Sequence, residues 1–258
     1  MRNRWLIALA AIGLHISIGS VYAWSVLTRP IMADMGFTMS QTTWTFSLAI
    51  LMLGLSAGFL GSFAEKIGPK KSGLLSMVFW VAGLFGTAYA LSIHNLTLLY
   101  LFYGIIGGIG LGIGYITPVS TLVKYFPKRP GFATGLAIMG FGFASLIAGP
   151  LMQFLVAQVG LVNNFIILGI IYLLVMSASS LYLKAPQPKQ PPRTTKDKST
   201  MYVHNHGMLA NDAMKTWQFG ALWWIFFVNI TCGIGLLSLA SPMAQETIGM
   251  TPAAAASL

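Results

Sequence analysis

Seven long apolar stretches alternate with short polar segments along this 258-residue chain. None of the seven contains an Asp, Glu, Lys or Arg residue. Each has about 20 residues or more, which is enough for a helix rising ~1.5 Å per residue to cross a hydrocarbon core of ~30 Å. The pattern predicts an all-α membrane protein whose transmembrane helices are residues 5–27, 42–62, 73–93, 96–119, 131–157, 164–183 and 218–240.

The basic residues are distributed unevenly if the chain crosses a membrane at every apolar stretch and starts inside. The inner segments then hold fourteen of the fifteen Lys and Arg residues, and the outer segments keep only Arg29. Because cytoplasmic segments retain Lys and Arg, this bias predicts a multi-pass protein of the cell (inner) membrane with a cytoplasmic N-terminus. Topology then accounts for the formal net charge of +10. We expect the basic segments to contact the lipid bilayer and not nucleic acid.

Composition also divides the chain. Residues 1–183 contain the first six apolar stretches, whereas residues 184–200 are rich in Pro and charge and are typical of an extended linker. Residues 252–258 look like the opening of an eighth span. We therefore expect a six-span N-terminal bundle (1–183), a cytoplasmic linker (184–217) and the start of a truncated C-terminal bundle (218–258). A complete seven-span protein is the alternative, but it gives residues 252–258 no purpose.

The sequence contains no recognisable cofactor or metal site. Its single cysteine, Cys232, lies inside the seventh apolar stretch, which excludes an intrachain disulfide or a Cys-based metal site. The glycine-rich segment 107–114 matches neither a P-loop nor a dinucleotide fingerprint. His204 and His206 stand alone in the linker. We expect no cofactor, no bound metal, no catalytic constellation and therefore no enzyme activity.

Glycines recur every four residues within several spans. Gly104, Gly108 and Gly112 do so in the fourth span, with matching pairs at Gly54 and Gly58 in the second and at Gly131 and Gly135 in the fifth. Small residues at this spacing allow helix backbones to approach closely in lipid. The pattern predicts helix contacts along these faces.

The segment after the second span, residues 61–71, reads Gly-Ser-Phe-Ala-Glu-Lys-Ile-Gly-Pro-Lys-Lys. It resembles the signature loop of the major facilitator superfamily: Gly, three residues, an acid, a base, one residue, Gly and further bases. A carboxylate between cations and a helix end can hold two helices together in one state and release them in another. The predicted conformational switch loop therefore comprises Gly61, Glu65, Lys66, Gly68, Lys70 and Lys71.

Shorter motifs narrow the resemblance. They are Tyr-Ala-Trp-Ser at 22–25, Gly-Tyr at 114–115, Tyr-Phe-Pro-Lys-Arg-Pro-Gly-Phe-Ala-Thr-Gly at 125–135, and Thr-Trp-Gln-Phe with Leu-Trp-Trp between 216 and 224. Together they are similar to the oxalate/formate antiporter family of the superfamily, over residues 2–258 but only over the first half of a family member. The resemblance implies a major facilitator fold and a central cavity lined by aromatic residues, which match Tyr22, Tyr115 and Phe141. It also implies that the cations of the site come from spans eight and eleven, in a C-terminal half missing from this chain.

The first span carries a polar stripe in which His15, Gly19 and Tyr22 are spaced by four and three residues. Polar groups in mid-span usually face a cavity or a partner helix. A small planar carboxylate can stack on aromatic faces and accept hydrogen bonds from Tyr hydroxyls. The candidate substrate-binding residues are His15, Tyr22, Trp24, Tyr115 and Phe141. Packing is the alternative for Tyr115, a membrane-interface position for Tyr22 and Trp24, and a structural or proton-carrying role for His15.

These features predict a secondary active transporter of small organic anions, mono- or dicarboxylates, which works by alternating access and by exchange of the oxalate/formate type. Three alternatives stay open. One is a proton-coupled monocarboxylate symporter. The second is a carrier of sugars or drugs, although the spans of such carriers normally display several carboxamides or acids in mid-membrane. The third is a membrane fragment that transports nothing.

Overall fold

The computed structural model describes residues 3–186 and 210–256. Most of the predicted linker, with His204 and His206, lies outside these ranges. The described residues form α-helices joined by short turns, so the all-α prediction is confirmed for them. The helices are α1 (Arg4–Gly19), α2 (Trp24–Met35), α3 (Met39–Ile67), α4 (Pro69–Ser92), α5 (Leu96–Leu99), α6 (Gly108–Tyr125), α7 (Pro130–Gly142), α8 (Ala144–Tyr182), α9 (Ala210–Ala213), α10 (Trp217–Thr247) and α11 (Pro252–Ala255). A 3₁₀ turn (Ser20–Ala23) joins α1 to α2, and a π-helical segment (Tyr100–Gly107) joins α5 to α6.

Six helical stretches of the described chain are long and apolar enough to cross a membrane. The fifth of them, Pro130–Tyr182, has 53 residues and is too long for one crossing. It is interrupted at Gly160, where φ is 82° and ψ is 172°. The two parts on either side of Gly160 correspond to the fifth and sixth predicted spans. The structure therefore accommodates all seven predicted spans.

Local sequence signals explain where α3 and α4 begin. Thr38 caps α3: its hydroxyl accepts the backbone N–H of Gln41 at 3.3 Å, and the Gln41 side chain accepts the N–H of Thr38 at 2.9 Å. Gly68 stands alone between α3 and α4 with φ of 82°, in the left-handed region that glycine tolerates best. Pro69 follows as the first residue of α4, where its missing N–H costs nothing.

Glycines of the fourth span pack against α3, as their spacing predicts. A Cβ added at Gly104 would lie 2.8 Å from the Leu48 Cβ, and one at Gly108 would lie 2.6 Å from the Met52 Cβ. One turn further along, Gly112 contacts Ser56 in the same way. The four-residue spacing on one helix thus matches a four-residue spacing on the other.

The glycine pairs of the second and fifth spans contact no other helix among residues 3–186 and 210–256, so helix contacts on their faces stay a prediction. A Cβ added at Gly54, Gly58, Gly131 or Gly135 would meet no atom within 4 Å. These positions face away from the bundle, and the sequence pattern by itself does not distinguish an inward from an outward glycine face.

Two ion pairs are consistent with the predicted transmembrane topology. Lys124 at the end of α6 lies 3.2 Å from Glu65 near the end of α3, and both were assigned to inner segments. At the opposite end of the bundle, Arg29 of α2 lies 2.7 Å from Glu246 of α10, and both were assigned to outer segments. Each pair joins segments that the charge pattern places on the same side.

The described chain divides into two compact units. The larger comprises Met1–Pro186 and Ser238–Leu258 and contains the helical bundle, in which α1 packs against α6, α7 and α8. The smaller is Gln187–Leu237, whose described residues form α9 and the first part of α10. Large apolar side chains are exposed on the outside of the bundle, among them Phe59 at 81% and Leu174 at 65%. Such surfaces are stable in lipid and costly in water.

Candidate functional site

Four aromatic side chains meet inside the bundle and form what we call the ring cluster: His15, Tyr22, Tyr115 and Phe141. Phe141 is the common neighbour, with ring centroids 5.8 Å from His15, 5.0 Å from Tyr22 and 5.3 Å from Tyr115. All three contacts are close to perpendicular, at 80°, 89° and 86°, which is a favoured edge-to-face arrangement. The rings of His15 and Tyr115 stack at 5.6 Å with an angle of 25° between their planes.

The ring cluster draws on four different segments of the chain. His15 belongs to α1 and Tyr22 to the 3₁₀ turn that follows it, while Tyr115 lies on α6 and Phe141 near the end of α7. A 3₁₀ turn has fewer residues per turn than an α-helix, so it changes the direction in which Tyr22 projects. Four of the five candidate substrate-binding residues are therefore brought together by segments separated by up to 126 positions in sequence.

Gly19 makes this convergence possible. A Cβ at this position would collide with the backbone carbonyl oxygen of Phe141 and would lie 2.8 Å from the Cβ of Ala144. The first span can approach the junction of α7 and α8 only because residue 19 has no side chain. In the sequence, Gly19 belongs to the polar stripe of the first span, and the structure shows the backbone that it contacts.

The two tyrosines of the ring cluster have hydroxyl groups that are available as hydrogen-bond donors. Tyr22 and Tyr115 are partly exposed, whereas Phe141 is 3% exposed. Among residues 3–186 and 210–256, neither phenolic hydroxyl has a hydrogen-bond partner. Both can donate to a ligand that enters the cluster. In the same ranges, no group of three or more His, Cys, Asp or Glu residues could hold a metal ion.

His15 is fully buried and bridges three helices through its ring nitrogens. Its Nδ1 lies 2.6 Å from the carbonyl oxygen of Ala137, and its Nε2 lies 3.0 Å from the carbonyl oxygen of Tyr115. Both partners are main-chain atoms of helices that pack against α1. Sequence reasoning missed these partners, since a backbone carbonyl leaves no signature in the residue pattern.

Trp24, the fifth candidate, lies outside the ring cluster. Its ring is fully buried, with its centroid 4.3 Å from that of Tyr103 and 6.5 Å from that of Phe165. The indole N–H donates to the carbonyl oxygen of Thr42 at 3.2 Å. With this donor occupied and the ring enclosed by other aromatic side chains, Trp24 serves packing between the first, second, fourth and sixth spans.

The predicted switch loop is mostly helical. Gly61, Glu65 and Lys66 belong to the last turns of α3, Lys70 and Lys71 belong to the first turn of α4, and Gly68 alone connects the two helices. The carboxylate of Glu65 accepts a hydrogen bond from the Lys124 ammonium group at 3.2 Å.

Lys124 is the partner that sequence reasoning missed for the switch loop. Its only sequence signal is a basic residue at the end of the fourth span, where any cytoplasmic segment would carry one. Beside the ion pair, a cleft is lined by Gly68, Pro69, Thr117 and Ser120. The pair therefore spans the edge of a cleft between the end of the second span and that of the fourth.

Comparison with known proteins places this architecture in a family. Residues 7–258 match the family described as Major Facilitator Superfamily. An uncharacterized MFS-type transporter of Escherichia coli (strain K12), YhjX, is 31% identical over 245 residues, which are 95% of this chain and 59% of that protein. The oxalate:formate antiporter of Oxalobacter formigenes is 25% identical over 241 residues, 93% of this chain and 54% of the antiporter. Human monocarboxylate transporter 14 is 28% identical over 192 residues, 72% of this chain and 36% of the transporter.

A solved structure shares the fold. The bacterial homologue of the human lysosomal transporter Spinster superposes with a TM-score of 0.68 at 17% sequence identity, covering 100% of this chain and 59% of that one. This chain spans between one third and three fifths of the length of these relatives. The match to the family extends over nearly the entire chain, and the relatives named above are transporters. The chain belongs to the Major Facilitator Superfamily and is a multi-pass membrane protein.

Proposed function

We propose that the protein is a secondary active transporter of small organic anions, mono- or dicarboxylates, and that it exchanges one anion for another by alternating access. The observation that carries this proposal is the ring cluster inside the helical bundle. There, two Tyr rings contact Phe141, and neither Tyr hydroxyl has a hydrogen-bond partner among residues 3–186 and 210–256. Two relatives, an oxalate:formate antiporter and a monocarboxylate transporter, support the same substrate class.

The ring cluster suits a small carboxylate for a physical reason. Tyr22 and Tyr115 both contact the ring of Phe141, and we propose that their hydroxyls donate to one bound group. Hydrogen bonds to an ionised acceptor are stronger than those between neutral groups. Phe141 supplies a flat apolar wall, and the positive edge of an aromatic ring is compatible with an anion. Trp24 is not part of this proposed site.

The proposed site is completed by a second helical bundle outside this chain. The ring cluster contains no Lys or Arg side chain, and a buried carboxylate without a partner is costly. The chain spans 59% and 54% of two of its relatives, which leaves room in such proteins for further spans. We propose that those spans contribute the cations that bind the substrate carboxylate.

The proposed orientation places the N-terminus in the cytoplasm of a cell whose inner membrane holds the protein. The unequal distribution of Lys and Arg supports this orientation. The switch loop and the Glu65–Lys124 pair then lie on the cytoplasmic side. In this arrangement, the pair stabilises one state of the alternating-access cycle and must open in the other.

Exchange in proteoliposomes tests the proposal. The complete protein is reconstituted with unlabelled formate or oxalate inside, and uptake of the radiolabelled anion is measured. We expect uptake that requires the internal anion, and uptake that is equally fast in empty liposomes contradicts exchange.

A proton-coupled monocarboxylate symporter is the second candidate, favoured by the buried His15 in the ring cluster and by the monocarboxylate transporter relatives. It predicts uptake into empty liposomes driven by a pH gradient. Stable membrane insertion with neither exchange nor gradient-driven uptake would instead support a fragment that transports nothing.

A further inference from the structure

The two contacts of His15 cannot both be hydrogen bonds if the imidazole is neutral. A neutral imidazole has one N–H and one lone pair, whereas Nδ1 and Nε2 each face a carbonyl oxygen, at 2.6 Å and 3.0 Å. In either neutral tautomer, one nitrogen lone pair would face an oxygen lone pair. The side chain is 0% exposed, so solvent does not relieve that contact. A ring protonated on both nitrogens satisfies both carbonyl groups.

Turning the ring by half a rotation does not resolve the conflict. It would place ring carbons next to the same oxygens, and C–H···O contacts are normally longer, at about 3.3–3.6 Å. The 2.6 Å separation from the Ala137 oxygen is shorter than the ~2.9–3.0 Å of an ordinary N–H···O bond, and hydrogen bonds from a charged donor are the shorter ones. Both carbonyl contacts are therefore satisfied only when His15 is cationic.

A cation at this position has no counter-ion in the protein segments that surround it. The acidic residues of the chain are Asp34, Glu65, Asp197, Asp212 and Glu246, and all lie outside the apolar spans. Helices α7 and α8 contain no Asp, Glu, Lys, Arg or His, and the only charged side chain of α6 is Lys124 at its far end. The titratable groups next to His15 are Tyr115, stacked on it, and Tyr22, across Phe141. A buried charge without a partner is unfavourable, so this cation requires an anion from outside the chain.

We infer that the bound carboxylate supplies this counter-charge, and that His15 takes up one proton from solvent when the anion binds. The inference rests on the proposed function, because it uses the same site and the same substrate class. The proton occupies the ring nitrogen that has no hydrogen in the empty site, and no covalent bond to the substrate forms. For a monocarboxylate, the proton and the anion together leave the net charge of the ring cluster unchanged.

His15 acts in this scheme as a positioning residue. Both of its N–H groups are used by Ala137 and Tyr115, so it does not donate to the substrate. Its charge acts on the anion across the ring of Tyr115, which stacks at 5.6 Å. Its two hydrogen bonds also fix α6 and α7 to α1, which fixes Tyr115 and Phe141 relative to Tyr22.

Calorimetry of anion binding tests the inference. The complete protein in lipid nanodiscs is titrated with formate and with oxalate in buffers of different ionisation enthalpy. We expect uptake of about one proton per bound anion. In the pH range where this uptake occurs, the affinity for the anion should fall about tenfold for each unit by which the pH rises. The Gln side chain of the His15→Gln variant does not titrate. Anion binding to this variant should therefore neither release nor take up a proton, and its affinity should not depend on pH. The control His94→Gln changes an exposed loop histidine and should retain the uptake.

The outcomes separate this inference from the proposed function. Binding without proton uptake overturns the inference and leaves the function intact. If neither anion binds, the proposed function fails for these probes, and the linkage between anion and proton fails with it.

Nitrogen NMR of the ring gives a second measurement, which does not depend on the folding of His15→Gln. The other histidines are replaced by Gln, and the spectrum of His15 is recorded with and without formate. Two N–H groups with formate at neutral pH support the inference. One neutral tautomer throughout the range from about pH 5 to about pH 8 overturns it.

Discussion

Gly19 of the first span lies directly against the backbone carbonyl of Phe141, with no side chain between the two segments. This contact sets the distance between the 3₁₀ turn that carries Tyr22 and the end of the helix that carries Phe141. Interiors of proteins are close-packed, so an added methyl group here must displace one segment from the other.

We therefore predict that Gly19→Ala impairs both stability and transport. Overpacking of this kind costs about 1–3 kcal/mol, and the displacement separates Tyr22 from Phe141. Thermal unfolding and anion exchange of the complete protein are the measurements. Gly135→Ala is the matched control, because a Cβ at that helical position meets nothing within 4 Å. Equal behaviour of the two variants would contradict the role of the Gly19 contact.

Removal of single hydroxyl groups tests the two proposed donors. Tyr22→Phe and Tyr115→Phe keep the ring contacts with Phe141 and remove only the hydrogen bond to the ligand. A hydrogen bond to a charged group contributes about 1.5–3 kcal/mol, so each change should weaken anion binding about tenfold to a hundredfold. Binding is measured by calorimetry. Tyr89→Phe, at a side chain that is 56% exposed, is the control and should bind as the unchanged protein does. Unaltered affinity in both ring-cluster variants would remove these hydroxyls from the site.

The Glu65–Lys124 pair predicts a change in transport rate with little change in stability. The two side chains are 47% and 53% exposed, and exposed pairs contribute about 0.2–1 kcal/mol to folding. Because the pair links the ends of α3 and α6, Glu65→Gln should alter the exchange rate by shifting the conformational equilibrium. The double variant Glu65→Lys with Lys124→Glu should restore part of that rate.

Asp212→Asn is the control for this effect, since it breaks another exposed ion pair, with Lys215 at 3.7 Å. It should leave the exchange rate unchanged. A Glu65→Gln protein that exchanges anions at the normal rate would argue against a switch at this position.

The Arg29–Glu246 pair at the opposite end of the bundle predicts energetic coupling between α2 and α10. The Arg29 guanidinium lies 2.7 Å from the Glu246 carboxylate and also donates to the side chain of Gln245 at 3.1 Å. In a double-mutant cycle of Arg29→Gln and Glu246→Gln, we expect a coupling of about 0.5–1 kcal/mol in thermal unfolding. The coupling should decrease at high salt. Additive effects of the two changes would show that the contact contributes nothing.

The sequence alone was sufficient for the class of fold and for the family. A stretch of about 20 residues without charge can cross lipid only as a helix, because a helix satisfies its backbone hydrogen bonds internally. The spans could therefore be predicted from the uncharged apolar stretches. The motif at 61–71 identified the superfamily that residues 7–258 match. The division into residues 1–183, 184–217 and 218–258 stays a prediction, since much of the linker lies outside the described ranges.

Only the tertiary structure decided which side chains meet. Tyr22 and Trp24 are two residues apart in sequence, yet one joins the ring cluster and the other packs against Tyr103, because a 3₁₀ turn lies between α1 and α2. The partners of His15 are carbonyl groups 100 and 122 positions away. An apolar stretch specifies that a helix crosses the membrane, but not its rotation about its own axis. That rotation follows from packing against the other helices, and it determines which residues face the site.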